Sequence, residues 1–109
     1  MAYNEELDSL ITDYLEGEKN IEPKKMFGGV GYLLNGNMAC GVHTDHLIVR
    51  VGPENYEDAL SDPHTKIFDM TGRPMRGWVM VSSEAWKSPD LLKKWIDRGI
   101  TFAVTVPPK

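Results

Sequence analysis

The dipeptide Asn35-Gly36 constrains this chain more than any other two residues. A two-residue type I′ turn needs positive φ at both central positions, which Asn tolerates and Gly adopts freely, so Asn-Gly between apolar runs predicts a tight hairpin. Thr44-Asp45, set between His43 and His46, supplies a second turn. The stretch Lys24 to Val51, KKMFGGVGYLLNGNMACGVHTDHLIVRV, is therefore expected to form a three-stranded antiparallel meander. Glu16 to Pro23 before it is polar and reads as a loop.

Pairing across the first turn sets Leu34 against Asn37, and alternation then sorts every neighbouring side chain. Phe27, Gly29, Gly31, Leu33, Met38, Cys40, Val42, Leu47, Val49 and Val51 are expected on one face, the core, where the glycines let a helix approach. The other face receives Gly28, Val30, Tyr32, Leu34, Ala39, His43, His46, Ile48 and Arg50. A sheet face open to water should be polar, yet Val30, Tyr32, Leu34 and Ile48 are apolar.

The flanking segments read as helices and two more strands. Leu7, Leu10, Ile11, Tyr14 and Leu15 form one helical stripe, with Asn4 as N-cap and Gly17 as terminator. Glu54 to Ser61 is a short helix behind Gly52-Pro53, Thr65 to Met70 a fourth strand, and Met75 to Ser82 a fifth, joined by a turn at Thr71-Gly72-Arg73-Pro74. A last helix starts at Ser88-Pro89 and buries Leu91, Leu92, Trp95 and Ile96. The tail Ile100 to Val106 fits a strand by alternation, but Leu92, Trp95, Gly99, Phe102, Ala103 and Val106 also make a helical stripe. The order α-β-β-β-α-β-β-α predicts one two-layer α+β domain over residues 1–109, an antiparallel sheet of about five strands with helices on one face.

Charge and composition narrow the partners. The net charge of −4 and the pI near 5.3 argue against direct nucleic-acid binding, because phosphates need a basic footprint. A single cysteine, Cys40, excludes an internal disulfide and fits a reducing compartment. The N-terminus lacks the features of a secretory signal, and no apolar run approaches the ~20 residues that span a bilayer. A cytoplasmic protein is expected.

The runs KKMFGGVGYLLNGNMACGV and LIVRVG, the segment FDMTGRPMRGW and the closing TVPPK together resemble the TfoX N-terminal domain family, over nearly the whole chain. The resemblance implies a secretion-chaperone-like α+β fold, a helical tail, and kinship with bacterial regulators of competence genes. It carries over no catalytic residues. Ending at Lys109, the chain leaves no room for the separate C-terminal domain of full-length regulators, so a stand-alone N-terminal domain is expected.

Three constellations touch on chemistry. FGGVG is glycine-rich like a phosphate loop, but it fits neither the dinucleotide nor the Walker pattern and precedes a strand, so the glycines are expected to serve packing. Cys40, His43 and His46 space like metal ligands, but the pairing points the thiol inward and both imidazoles outward. The same separation weakens a Cys-His nucleophile. No metal or cofactor is expected. Arg50, Arg73 and Arg76 are suited to clamping an anion, with ion pairs to Asp69 or to the acidic second helix as the alternative.

The expected function is a non-catalytic protein-binding module with a role in competence or transcription regulation, not an enzyme. Its candidate interface is Val30, Tyr32, Leu34, Ile48, Arg50, Arg76 and Trp78, with Met80 beside them, binding a protein partner or a second copy. The alternative for that apolar face is cover by the tail or last helix of the same chain. A small-ligand protein or enzyme with an Arg-lined pocket is the alternative function. If the face is free, Tyr32→Glu with Ile48→Glu abolishes association and leaves the fold intact; unchanged sedimentation and partner retention would refute the interface.

Overall fold

The computed structural model describes residues 4–16, 18, 20–26, 29–68 and 76–107. The expectations for Gly17, Phe27, Gly28, Asp69, Met70, Arg73, Met75 and the turn at 71–74 lie outside the described residues.

Asn4 starts the first helix: its side-chain oxygen accepts the Leu7 N–H at 3.0 Å, and α1 runs Glu5–Leu15. Leu7, Ile11 and Leu15 are its buried stripe. Six antiparallel strands follow in the spatial order β1-β2-β3-β4-β6-β5: β1 Ile21–Met26, β2 Gly29–Leu34, β3 Asn37–His43, β4 His46–Arg50, β5 Thr65–Ile67 and β6 Trp78–Val81. Between β4 and β5 lie a 3-10 turn, Pro53–Asn55, and α2, Tyr56–Leu60. After β6 come α3, Ser83–Trp86, and α4, Pro89–Ala103. The helical stripe in the tail thus prevails over the strand pattern as far as Ala103.

Both expected turns are present. Asn35 and Gly36 take φ of 52° and 86°, and His43 pairs with His46 across a turn where Thr44 has φ of 52°. The layering is that of a two-layer α+β fold, with a sixth strand added. β1 reads as loop over residues 21–23 and as the start of the meander over 24–26, because its sequence, IEPKKM, shows no apolar alternation. It is an edge strand, however, and an edge needs little burial, tolerates Pro23, and is guarded by Lys24 and Lys25.

The face assignment needs one correction, and it reverses β2. Leu33 pairs with Met38, but Tyr32 pairs with Cys40, so Ala39 is an extra residue bulged out of the ladder. Beyond the bulge, Val30 and Tyr32 share a face with Cys40 and Val42, not with Ile48. They join Leu47, Val49, Val79 and Val81 beneath Leu7, Ile11, Trp95 and Ile96 in the main core. Leu34 packs with Ala39 and Ala103. Val30, Tyr32 and Leu34 are therefore buried under helices rather than displayed.

The opposite face keeps His43, His46, Ile48 and Arg50 as expected, beside Trp78 and Met80 of β6. It gains Leu33 and Met38. Ile48 is nevertheless only 2% exposed, and the large exposed apolar residues among those described are Leu10, Ile67 and Val104. Part of the cover is Phe68, just after β5, whose buried ring meets His43 edge-on at 6.0 Å and Trp78 at 6.3 Å. The body of α4 packs against the core on the other side, and its Phe102 reaches this face at Arg50. A glutamate at Tyr32 or Ile48 would bury a charge and unfold the chain, so the double substitution cannot probe an interface.

Close helix approach does rest on a glycine, but on the helix instead of the sheet. A Cβ at Gly99 of α4 would strike the Ala39 carbonyl at the bulge, whereas one at Gly29 or Gly41 would strike a neighbouring strand's backbone. Gly99→Ala should gain ~1 kcal/mol of helix propensity. Overpacking against a backbone carbonyl costs about 1–3 kcal/mol, so the expected outcome is net destabilisation. A lowered urea midpoint at constant slope would show it; a raised midpoint would contradict this packing.

Candidate functional site

Of the residues expected to form a site, the structure gathers Arg50 and Trp78, leaves Arg76 exposed nearby in the chain, and removes the rest to the interior. Tyr32 is a core residue with a polar tip. Its hydroxyl donates to the Asp8 carboxylate and stands 3.5 Å from the Thr12 hydroxyl. Burial, reinforced by Asp8, raises the phenol pKa, so Tyr32 acts as a neutral donor. Cys40 is fully buried, and burial pushes its thiol up to about 12. A thiolate nucleophile is thus disfavoured there. His43 and His46 face away from Cys40, and among the described residues no group of three His, Cys, Asp or Glu side chains is placed to hold a metal. Burial and the neighbouring Lys66 lower the His46 pKa.

Arg50 does not sit in an ion pair among the described residues. Its guanidinium carbon lies 5.4 Å from the Trp78 ring centre and 5.1 Å from that of Phe102, so the cation is held between two aromatic rings. Trp78 is its partner across the β4–β6 ladder. Phe102 comes from the last turn of α4, and Gly52 makes room for it: a Cβ there would run into the Phe102 ring. Gly52 has φ of 88°, and the Gly77 carbonyl accepts the N–H groups of Val51 and Gly52 at 2.8 and 3.1 Å. Gly77 itself has φ of 94°, so two glycines shape the corner where β4 ends.

This corner forms one wall of a groove of about 590 Å³. Val51, Gly52 and Pro53 stand on one side with Glu54 and Asn55, and Asp97, Arg98, Thr101, Phe102 and Thr105 of α4 and its end stand opposite. Most of its polar groups are already engaged. Arg98 pairs with Asp58 at 3.2 Å and lies 4.7 Å over the Trp95 ring. Asp97 accepts the Tyr14 hydroxyl at 2.8 Å, Asn55 donates to the Val51 carbonyl, and Thr105 donates to the Phe102 carbonyl. Burial and Asp97 push the Tyr14 phenol up to about 12, which keeps it a donor. The acidic second helix does supply an ion pair, but to Arg98 instead of Arg50 or Arg76.

Sequence reading singled out Arg50 and Trp78 but missed the groove beside them. Gly52-Pro53 was legible as a strand ending, and Phe102 as part of a helical stripe. Their contact joins segments 50 residues apart, which no local pattern encodes.

The sheet order and the helix layer define a two-layer α+β fold. The model of the TfoX N-terminal domain matches residues 13–103, and the chain belongs to that family. No curated protein matches it. Among the described residues no helix is long and apolar enough to cross a membrane.

Arg50→Met keeps the side-chain stem but removes the charge from between the two rings. At ~0.5–1 kcal/mol for each exposed cation–π contact, the loss should be about 1–2 kcal/mol. Urea unfolding followed by tryptophan fluorescence measures it, and an unchanged midpoint would mean the stack contributes nothing.

Proposed function

We propose that this chain is a non-catalytic protein-binding module that takes part in the regulation of competence genes, and that it engages its partner at the groove between the Pro53–Asn55 turn and α4. Family membership supports the regulatory setting. The observation that carries the site is the groove itself, walled by the half-buried Phe102 and placed beside the Arg50–Trp78 pair. Aromatic residues and arginine are the types that anchor protein interfaces. The engaged state of Arg98, Asp97 and Asn55 favours recognition over catalysis, since none of them forms a nucleophile–base pair. The acidic balance favours a protein partner over nucleic acid. The cytoplasm is the compartment that a reduced, buried Cys40 and such a role fit.

The groove volume also lies in the range of small-ligand sites, which keeps a metabolite-binding reading in view. A metabolite at 100 Kd would raise stability by ~2.7 kcal/mol, visible in a thermal-shift screen.

Thr101 is exposed, lines the groove and makes none of its structural bonds, so a photo-crosslinking residue placed there should leave the fold unchanged. In the protein's own cells it should yield a discrete protein adduct, while the same group at Ser9, exposed on α1 and outside the groove lining, should not. Equal adducts from both positions, or none from Thr101, would overturn the assignment.

A further inference from the structure

The groove carries acidic residues on both of its sides. The ten residues Pro53 to Asp62 contain Glu54, Glu57, Asp58 and Asp62 and no lysine or arginine. Glu54, Glu57 and Asp58 are exposed along this ridge, and Asp97 stands exposed on the facing wall. Arg98 is the one cation in the lining, and its charge is committed to Asp58 and the Trp95 ring. Lys93 and Lys94 lie a turn earlier on α4, outside the lining. Among the described residues the lining thus holds two carboxylates, Glu54 and Asp97, beside Arg98, with Glu57 and Asp58 exposed just beyond it and Arg50 against the Phe102 ring. Between the carboxylates the groove is apolar, with Val51, Gly52, Pro53 and Phe102.

An apolar trough with acidic lips suits a side chain that is itself an aliphatic stem with a cationic head. Resting on the reading of the groove as a protein-docking site, we propose that it receives a basic segment of the partner protein, with lysine or arginine heads between Glu54 and Asp97 and their stems against Pro53 and Phe102. Arg50 already faces the Phe102 ring, so a second cation gains little from that ring's π-electrons. The carboxylates, not the ring, attract the head, and the ring contributes area to the stem. Opposed charges across such an interface also speed encounter and exclude acidic competitors.

Fluorescence anisotropy tests this with a labelled dodecapeptide of alternating lysine and alanine, and with its glutamate-for-lysine counterpart. The lysine peptide should bind the native chain and the glutamate peptide should not. Glu54→Lys with Asp97→Lys should weaken lysine-peptide binding at least tenfold. Glu16→Lys with Glu22→Lys, an equal charge change at exposed positions outside the groove, should shift it less than twofold. Circular dichroism melts confirm that both double variants are folded. The proposal falls if the lysine peptide fails to bind, if both double variants weaken it alike, or if the glutamate peptide binds as well. If any of these occurs while Thr101 still crosslinks a protein, the docking site stands and only its basic preference is lost. Failure of both experiments removes the docking site too.

Discussion

The contact between Gly99 of α4 and the Ala39 carbonyl of β3 fixes how the two layers meet. A helix normally rides on a sheet at the distance its side chains dictate, and here one position on each side has given that distance up. Gly99 has no Cβ, and Ala39 is bulged out of the ladder at the same point. With the axis of α4 drawn down there, Trp95 and Ile96 sink fully into the core one turn earlier, and Ala103 closes over Leu34 one turn later. Phe102, next to Ala103, is then carried past the end of β4 to Gly52 and Arg50. The groove and its aromatic wall are consequences of that single close approach.

Much of this architecture was legible, and the failures have physical causes. Asn35-Gly36 and Thr44-Asp45 specified their turns because positive φ restricts residue choice so strongly. The stripes of α1 and α4 were readable because each buries one face. The bulge left no mark, since Ala39 is small, apolar and acceptable on either side of a strand. One extra residue there sent Val30 and Tyr32 to the interior, although the turn preceding it was read correctly. β1 was missed for the opposite reason: an edge strand can be stabilised by backbone pairing alone, so IEPKKM needed no apolar pattern.

The site shows the same division. Arg50 was identifiable as a cation beside apolar strands and Trp78 as an apolar residue on the outer sheet face, and they are indeed held together. The third member, Phe102, lay in a tail whose helical and extended patterns competed. Arg98 drew no notice on a helix surface, yet it pairs with Asp58 of α2. Periodicity reports which side of an element is buried; it does not report which distant element does the burying.

The two borders of the sheet differ in kind. At one, Pro23 withholds an amide and Lys24 and Lys25 bristle outward; at the other, β5 offers only three residues. Among the described residues both edges thus carry devices that discourage a further strand from pairing. A partner at the groove proposed above would accordingly be gripped by side chains rather than added as one more strand.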